Sequence, residues 1–298
     1  MQILVTGSTG MVGTALLPFL RRAGHQVIPV VRDKGTAESI YWNPASAEID
    51  TASLEGIDAA VHLAGENIAS GRWTSAKKER IKDRRVKGTR LISESLASLR
   101  RPPRVLVSAS AIGYYGSRGA EVLREESAAG HGFLSDVCQQ WEAATGPAAR
   151  QGMRVVHPRF GMILSARGGA LAKMLLPFKM GMGGRIGSGN QYMSWISLDD
   201  VCRAILHSIH TTSIYGAVNT VSPTPVTNAE FTKALGRALS RPAIFPLPAF
   251  AARIVLGEMA DDLLLASARV EPVKLQATGF EFLHRDLEMT LRYLLGKE

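Results

Sequence analysis

Short apolar runs alternate along the chain with longer stretches in which apolar residues recur every three or four positions. That alternation predicts strand, helix, strand from the first residues onward. Ile3-Leu4-Val5 reads as a buried strand, and Ala15, Leu16, Phe19 and Leu20 follow at helical spacing as far as Gly24, a C-cap. Val27 to Val31 closes a βαβ unit. Ile40-Tyr41-Trp42 forms a short extended piece, and Asp58 to Gly65 is a strand that ends on small residues. A helix is expected from about Ser75 to Leu99, a strand at Val105-Leu106-Val107, and a helix from near Phe133 through Ala144. Val155 to Gly161 makes the sixth strand, Leu171 to Met180 a Met- and Leu-rich helix, and Ala217 to Val221 a further strand. Thr227 and Glu230 have capping-box spacing for a helix to Leu239, after which Pro242, Pro246 and Pro248 form a hinge. Strands alternating with helices predict an α/β fold: a Rossmann-type, doubly wound parallel sheet with a smaller C-terminal α+β lobe.

The first turn is where chemistry enters this pattern. Thr6-Gly7-Ser8-Thr9-Gly10-Met11-Val12-Gly13 lies between strand and helix. Gly7 permits the bend, Gly10 lets a backbone approach a pyrophosphate, and Gly13 lets helix and strand pack closely. Thr9, Met11 and Val12 then belong to a phosphate cradle at the helix N-terminus. Val31 and Arg32 end the second strand, where the ribose of a dinucleotide is read. An arginine there favours the 2′-phosphate of NADP(H), with Asp33 beside it as a competing hydroxyl acceptor. In a doubly wound sheet ligands lie beyond the carboxyl ends of strands, so Leu63, Ala64 and Gly65 should border the adenosine half, with Glu66 directly after. The strand at Val105 delivers Ser108, Ala109 and Ser110 to the same edge.

Composition narrows the class. The chain has 298 residues, 46 % of them hydrophobic, enough for one large domain and a smaller lobe. We divide it at 1–225 and 226–298, with 165–195 contributing to the smaller lobe. No apolar stretch reaches a membrane span, no signal peptide precedes the first strand, and a cytoplasmic location is expected. Cys138 and Cys202 stand far apart, which suggests neither a disulfide nor a zinc site. His207 and His210 read as surface residues. The formal charge of +9 is concentrated between Arg72 and Arg104, where twelve Lys or Arg face three acids. Such a stretch can mark nucleic acid, an anionic surface or an anionic cofactor; a solvated helix face is the simplest reading.

The Gly-x-x-Gly-x-x-Gly spacing after Thr6 resembles the extended, epimerase-like branch of the short-chain dehydrogenase/reductase superfamily. Ser194 to Val201 is similar to a later element of that branch. Further segments resemble the atypical group called epimerase family protein, whose C-terminal domain has no known function. They are Leu63 to Ile68, Arg72-Trp73-Thr74, Trp141 to Ala144, Leu256 to Leu265, Ser267 to Leu275 and Gly279 to Phe282. That domain would cover about residues 249–296, and the likeness spans essentially the whole chain. It implies that Ser110 is the active-site serine, that Arg85 faces the cofactor, and that Pro158 and Arg159 line the nicotinamide side. In typical members a Tyr-x-x-x-Lys pair on the helix after that serine supplies the acid/base. Aligned on Glu142, the pair falls on Leu134 and Cys138, and neither can do the job. Cys138 keeps a place beside the cofactor, while Tyr114 and Tyr115 become the nearest proton donors. The literal Tyr293 to Lys297 match lies too far along the chain to serve.

Three functions follow as expectations. The first is an NADP(H)-dependent oxidoreductase or epimerase-like enzyme on a small alcohol or ketone, with Ser110, Tyr114 and Tyr115 as catalytic residues. The second is a protein that holds NADP(H) without turnover. The third, a nucleic-acid binder, rests only on the basic helix and lacks interleaved aromatics. The partners expected are a small-molecule substrate and at most a second copy of the chain, with no metal, membrane or nucleic acid.

Overall fold

The computed structural model describes residues 1–32 and 39–297. β1 (Gln2–Thr6) leads through the glycine turn into α1 (Met11–Arg22), followed by β2 (Gln26–Val31), β3 (Ile40–Asn43), β4 (Glu48–Ile49) and β5 (Ala59–His62). α2 (Ser75–Ala97) then crosses to β6 (Val105–Ser108) and the short β7 (Ser110–Ala111). β8 (Val122–Leu123), α3 (Phe133–Ala143), α4 (Gly146–Arg150), β9 (Arg154–Phe160) and β10 (Met162–Leu164) follow. α5 (Gly169–Lys179), β11 (Tyr192–Met193), β12 (Trp195–Ser197), α6 (Leu198–His210) and β13 (Gly216–Thr220) come next. β14 (Val226–Thr227), α7 (Asn228–Leu239), α8 (Ala249–Leu256) and β15 (Arg269–Val270) precede a last helix, Leu287–Leu294.

The main sheet runs β13-β9-β6-β5-β1-β2-β3-β4, parallel except for the β3–β4 pairing, with β7 added against β9. The sheet is buried on both faces because alternate residues of each strand feed different layers. Ile3 and Val5 pack with Leu16, Leu20, Ile205 and Ile209 under α1 and α6. Leu4, between them, packs with Trp42, Ile92 and Leu96 under α2. A third cluster joins Leu171, Leu175 and Phe178 of α5 to Phe231, Leu235 and Leu291. Thr227 caps α7 in a full capping box, its hydroxyl accepting from the Glu230 N–H while the Glu230 carboxylate accepts from the Thr227 N–H. The glycine-rich segment 181–189 lies against the proline segment: Phe245 N donates to Gly183 O at 3.1 Å and Leu247 N to Arg185 O at 2.9 Å.

Candidate active site

The carboxyl ends of β1, β2, β5, β6 and β9 define one edge of the sheet, and the turn after β1 sits on it. Gly7 has φ +68°, and a Cβ there would come within 2.8 Å of the Ala64 nitrogen. A Cβ on Gly13 would fall 2.2 Å from Gly7 O, so the helix can start this close to the strand only with glycine at that position. α1 begins at Gly10 with no side-chain cap and no acid in its first turn, leaving its first N–H groups to an anion. Thr9 and Gly10 are exposed, and Met11 and Val12 half-buried, around this opening. Gly168 and Gly169, at the start of α5, stand over Met11, whose sulfur lies 3.1 Å from a Cβ built on Gly169. Arg32 is exposed at the end of β2 beside the half-buried Val31, and Asp33 lies outside the described residues.

The next strand end is held by an internal relay. Thr6 Oγ1 accepts from the Leu63 and Ala64 N–H groups at 3.2 and 3.3 Å. Its own proton then goes to His62 Nδ1, 2.8 Å away. That assigns the His62 proton to Nε2, which has no hydrogen-bond partner among the described residues; the ring stands edge-on to Trp42. Burial pushes the His62 pKa down to about 3, so the ring is neutral. Leu63 and Ala64 are half-buried and Gly65 is exposed.

Arg85 is not a freely projecting cation. Its Nη2 donates to Glu66 O at 2.9 Å, its Nη1 to Ile81 O at 3.1 Å, and the guanidinium lies 5.0 Å from the Trp141 ring centre. It therefore underpins the Gly65-Glu66 loop. The Glu66 carboxylate receives Lys77 at 2.6 Å and Arg84 at 2.9 Å. The Lys77 hydrogen bond and the neighbouring cations outweigh the opposing effect of burial and hold Glu66 below the usual carboxylate range. Lys77 is only 7 % exposed, which corrects the expectation of a solvated cation at the start of the basic helix. Most of its neighbours do face solvent, but in pairs: Lys78 with Glu258, Lys87 with Asp83, Arg90 with Glu94.

At the ends of β7 and β9 the structure brings together a buried ionic cluster. Ser110 Oγ donates to Glu142 Oε1 at 2.6 Å. Arg159 donates to the same carboxylate through Nε at 2.8 Å and Nη2 at 2.9 Å, a bidentate clamp. Burial pushes Glu142 up, but Arg159 and Ser110 together hold it below its ordinary value, so it is ionised at neutral pH. Arg159 Nη1 also donates to the Tyr115 hydroxyl at 2.9 Å, and that hydroxyl donates to Asn219 Oδ1 at 2.7 Å. Asn219 in turn donates to Glu271 O at 2.9 Å, joining the cluster to the C-terminal segment.

This arrangement changes the expected roles. Tyr115 is fully buried, with burial pushing its pKa up to about 12 and both its hydrogen-bonding roles used inside the protein, so it offers no proton to a substrate. Tyr114 is half-buried, with the Arg159 guanidinium 3.4 Å over its ring. Arg118, four residues on, pairs with Glu121. Ser110 is 2 % exposed and its proton is already committed, so toward a ligand its oxygen is an acceptor. Ser108 and Pro158 are buried within their strands and Ala109 directly follows β6. Leu134 and Cys138 both lie against Gly113, with Leu134 Cβ and Cys138 Sγ 3.2 and 3.9 Å from a Cβ built there. Burial pushes the Cys138 thiol up to about 11, which keeps it neutral at pH 7. The residue sequence reasoning missed is Glu142. It stands four residues beyond Cys138 and eight beyond Leu134, one further step along the same helical face, and that periodicity was the available signal. Among the described residues there is no group of side chains that could hold a metal ion, and His207 meets Thr278 rather than His210.

Residues 3–220 match the family model of the NAD dependent epimerase/dehydratase family, and residues 247–294 match a domain of unknown function, DUF1731. An epimerase family protein of Mycobacterium tuberculosis is 44 % identical over 292 residues, covering 98 % of this chain and 96 % of the relative. The human epimerase family protein SDR39U1 is 35 % identical over 302 residues, 99 % of this chain and 100 % of its own. A crystal structure of that human protein with NADPH superposes with a TM-score of 0.92 at 34 % identity, covering 99 % of each chain. A nucleoside-diphosphate sugar epimerase from Corynebacterium glutamicum superposes at 0.84 with 35 % identity, covering all of this chain and 59 % of that one. With its glycine turn, its parallel sheet and a match over most of its length, the chain belongs to the NAD dependent epimerase/dehydratase family.

Proposed function

We propose that the chain binds NADP(H) along the sheet edge and acts as an oxidoreductase or epimerase-like enzyme on a small alcohol or ketone. The crystal structure of the human relative contains NADPH, and the cradle at Gly7, Gly10 and Gly13 and the exposed Arg32 fit the same cofactor here. When bound, NADP(H) supplies the hydride acceptor or donor. The single observation that carries the chemistry is the Ser110–Glu142 hydrogen bond of 2.6 Å, on a carboxylate clamped by Arg159. Because Glu142 holds the serine proton, Ser110 Oγ accepts the proton of a substrate hydroxyl as it passes its own to Glu142 Oε1. Ketone reduction runs the same transfer backward: Ser110 gives its proton to the substrate oxygen and recovers one from Glu142, which must first take up a proton from solvent, so with Glu142 ionised at neutral pH the reduction is favoured in acid. This gives Ser110 the role of contact residue and replaces the missing tyrosine with a buried carboxylate.

The 2 % exposure of Ser110, together with the sealed hydroxyl of Tyr115, favours a second reading: a protein that holds NADP(H) without turning it over. One experiment separates the two. NADPH is titrated by its fluorescence, and its oxidation is then followed with a panel of small ketones in the unmodified protein and in Ser110→Ala. Binding with oxidation that Ser110→Ala removes supports the enzyme; binding without oxidation across the panel supports the holding protein.

A further inference from the structure

Several large apolar side chains are exposed on the C-terminal half of α5, the proline segment and α8. Leu176, Met180, Ile244, Phe245, Phe250 and Ile254 are each 58–72 % exposed. Their segments are neighbours: besides the two backbone bonds from 245 and 247, Gly187 N donates to Leu247 O at 2.9 Å, and a Cβ on Gly181, just past α5, would lie 3.9 Å from the Pro242 ring. Leu176 and Met180 share one face of α5 at i, i+4, and Phe250 and Ile254 share one face of α8 in the same way. Isolated exposed apolar residues are ordinary, but a contiguous group of this size marks a docking surface.

Charge identifies what docks. Residues 143–198 and 231–257 contain no Asp or Glu, and although Arg253 is paired with Asp261 and Arg237 with Glu288, further cations stand on the same segments. Lys179, Arg185 and Arg241 are exposed around it. Two such faces brought together would set like charges opposite one another, which argues against a second copy of the chain as the occupant. Aromatic and long aliphatic side chains ringed by Lys and Arg are what an anionic bilayer surface attracts: the cations meet the headgroups and the apolar side chains enter the acyl boundary. We propose that this face is a peripheral docking surface for an anionic phospholipid membrane. A contact of this kind needs no spanning segment, and no helix among the described residues is long and apolar enough to cross a membrane. It departs from the expectation of no membrane partner.

The test is co-flotation of the full chain with vesicles of phosphatidylcholine alone or containing about 30 mol % phosphatidylserine. The expected result is at least about tenfold stronger partition onto the anionic vesicles, weakened by added salt. Replacing Phe245, Phe250 and Ile254 together by serine should lower that partition by about tenfold or more, with NADPH binding in the same variant showing that the fold is intact. No flotation on either vesicle overturns the proposal and leaves an acidic protein as the partner such a face could take. Equal flotation on both overturns the anionic headgroup. A dimer by light scattering that the triple replacement dissolves assigns the surface to a second copy instead.

Discussion

Ser110 donates its only hydroxyl proton to Glu142, 2.6 Å away, and the carboxylate is at the same time gripped at both oxygens by Arg159. Ser110→Ala leaves the ion pair in place, so it should keep the fold and NADPH binding while turnover falls by about a hundredfold or more. Glu142→Gln strips a buried guanidinium of its counter-charge, which costs on the order of 3–5 kcal/mol of stability as well as activity. Because the folded pKa of Glu142 lies below its unfolded value, its stabilising contribution is present above the unfolded pKa and disappears as pH falls through the folded one. Alcohol oxidation should therefore lose rate only in acid, below the ordinary glutamate range. An alkaline limb that Tyr114→Phe removes would transfer the proton chemistry to that tyrosine.

We propose that Arg32 sets cofactor choice. Its side chain is exposed at the end of β2, free to meet a 2′-phosphate with a forked guanidinium. NADPH should bind more tightly than NADH, and Arg32→Asp should reverse the order. Equal affinities in the unmodified protein, measured by fluorescence titration, count against this assignment.

Arg85 and Lys77 act through the Gly65-Glu66 loop from opposite sides. Arg85 supports its backbone through Glu66 O, and Lys77 neutralises the Glu66 side chain. Arg85→Ala and Lys77→Ala should both weaken NADPH binding, whereas Lys87→Ala, which loses only an exposed pair with Asp83, should change it by less than about twofold. Calorimetric titration of the three variants gives the ranking. Tight DNA or RNA binding with a steep salt dependence would reopen the nucleic-acid reading of this helix.

His62 predicts how the same edge responds to acid. Its folded pKa of about 3 lies below the unfolded value near 6.5, so the unfolded chain binds the extra proton. Stability should fall as pH drops from about 6.5 toward 3, by at most about 1.4 kcal/mol per unit. Protonation at Nδ1 would end the hydrogen bond from Thr6 and loosen its hold on Leu63 and Ala64. Urea melts across this range should show a shallower slope for His62→Gln; an unchanged slope would place the titrating group elsewhere.

By the family resemblance Leu134 and Cys138 fall where typical members carry the tyrosine and lysine, and they lie together against Gly113. Installing Leu134→Tyr with Cys138→Lys should raise reduction of a small ketone by about tenfold or more, because a lysine one turn away lowers the phenol's pKa. A double variant that binds NADPH but gains no activity would show that the buried pocket keeps the new lysine neutral.

What the sequence determines by itself is what periodicity and backbone chemistry carry. Ile3 to Val5, Val27 to Val31 and the apolar residues of α1 announce a βαβ unit, and Gly7 and Gly13 announce its tight turn, because strand alternation, helical recurrence and the demand for a missing Cβ are all local. The helix at Ser75, the capping box at Thr227 and the absence of a tyrosine at Leu134 are legible for the same reason. What only the tertiary structure decides is which polar groups find each other. Ser110, Glu142 and Arg159 come from β7, α3 and β9, and no spacing along the chain shows that the serine's proton is already taken. Tyr115 reads as a proton donor until Asn219, from β13, is seen to hold its hydroxyl. Lys77 reads as one solvated cation among twelve until Glu66 folds back onto it. In each case burial and a partner distant in sequence set the protonation state or the direction of a hydrogen bond, and those are properties of a packed environment rather than of a residue type.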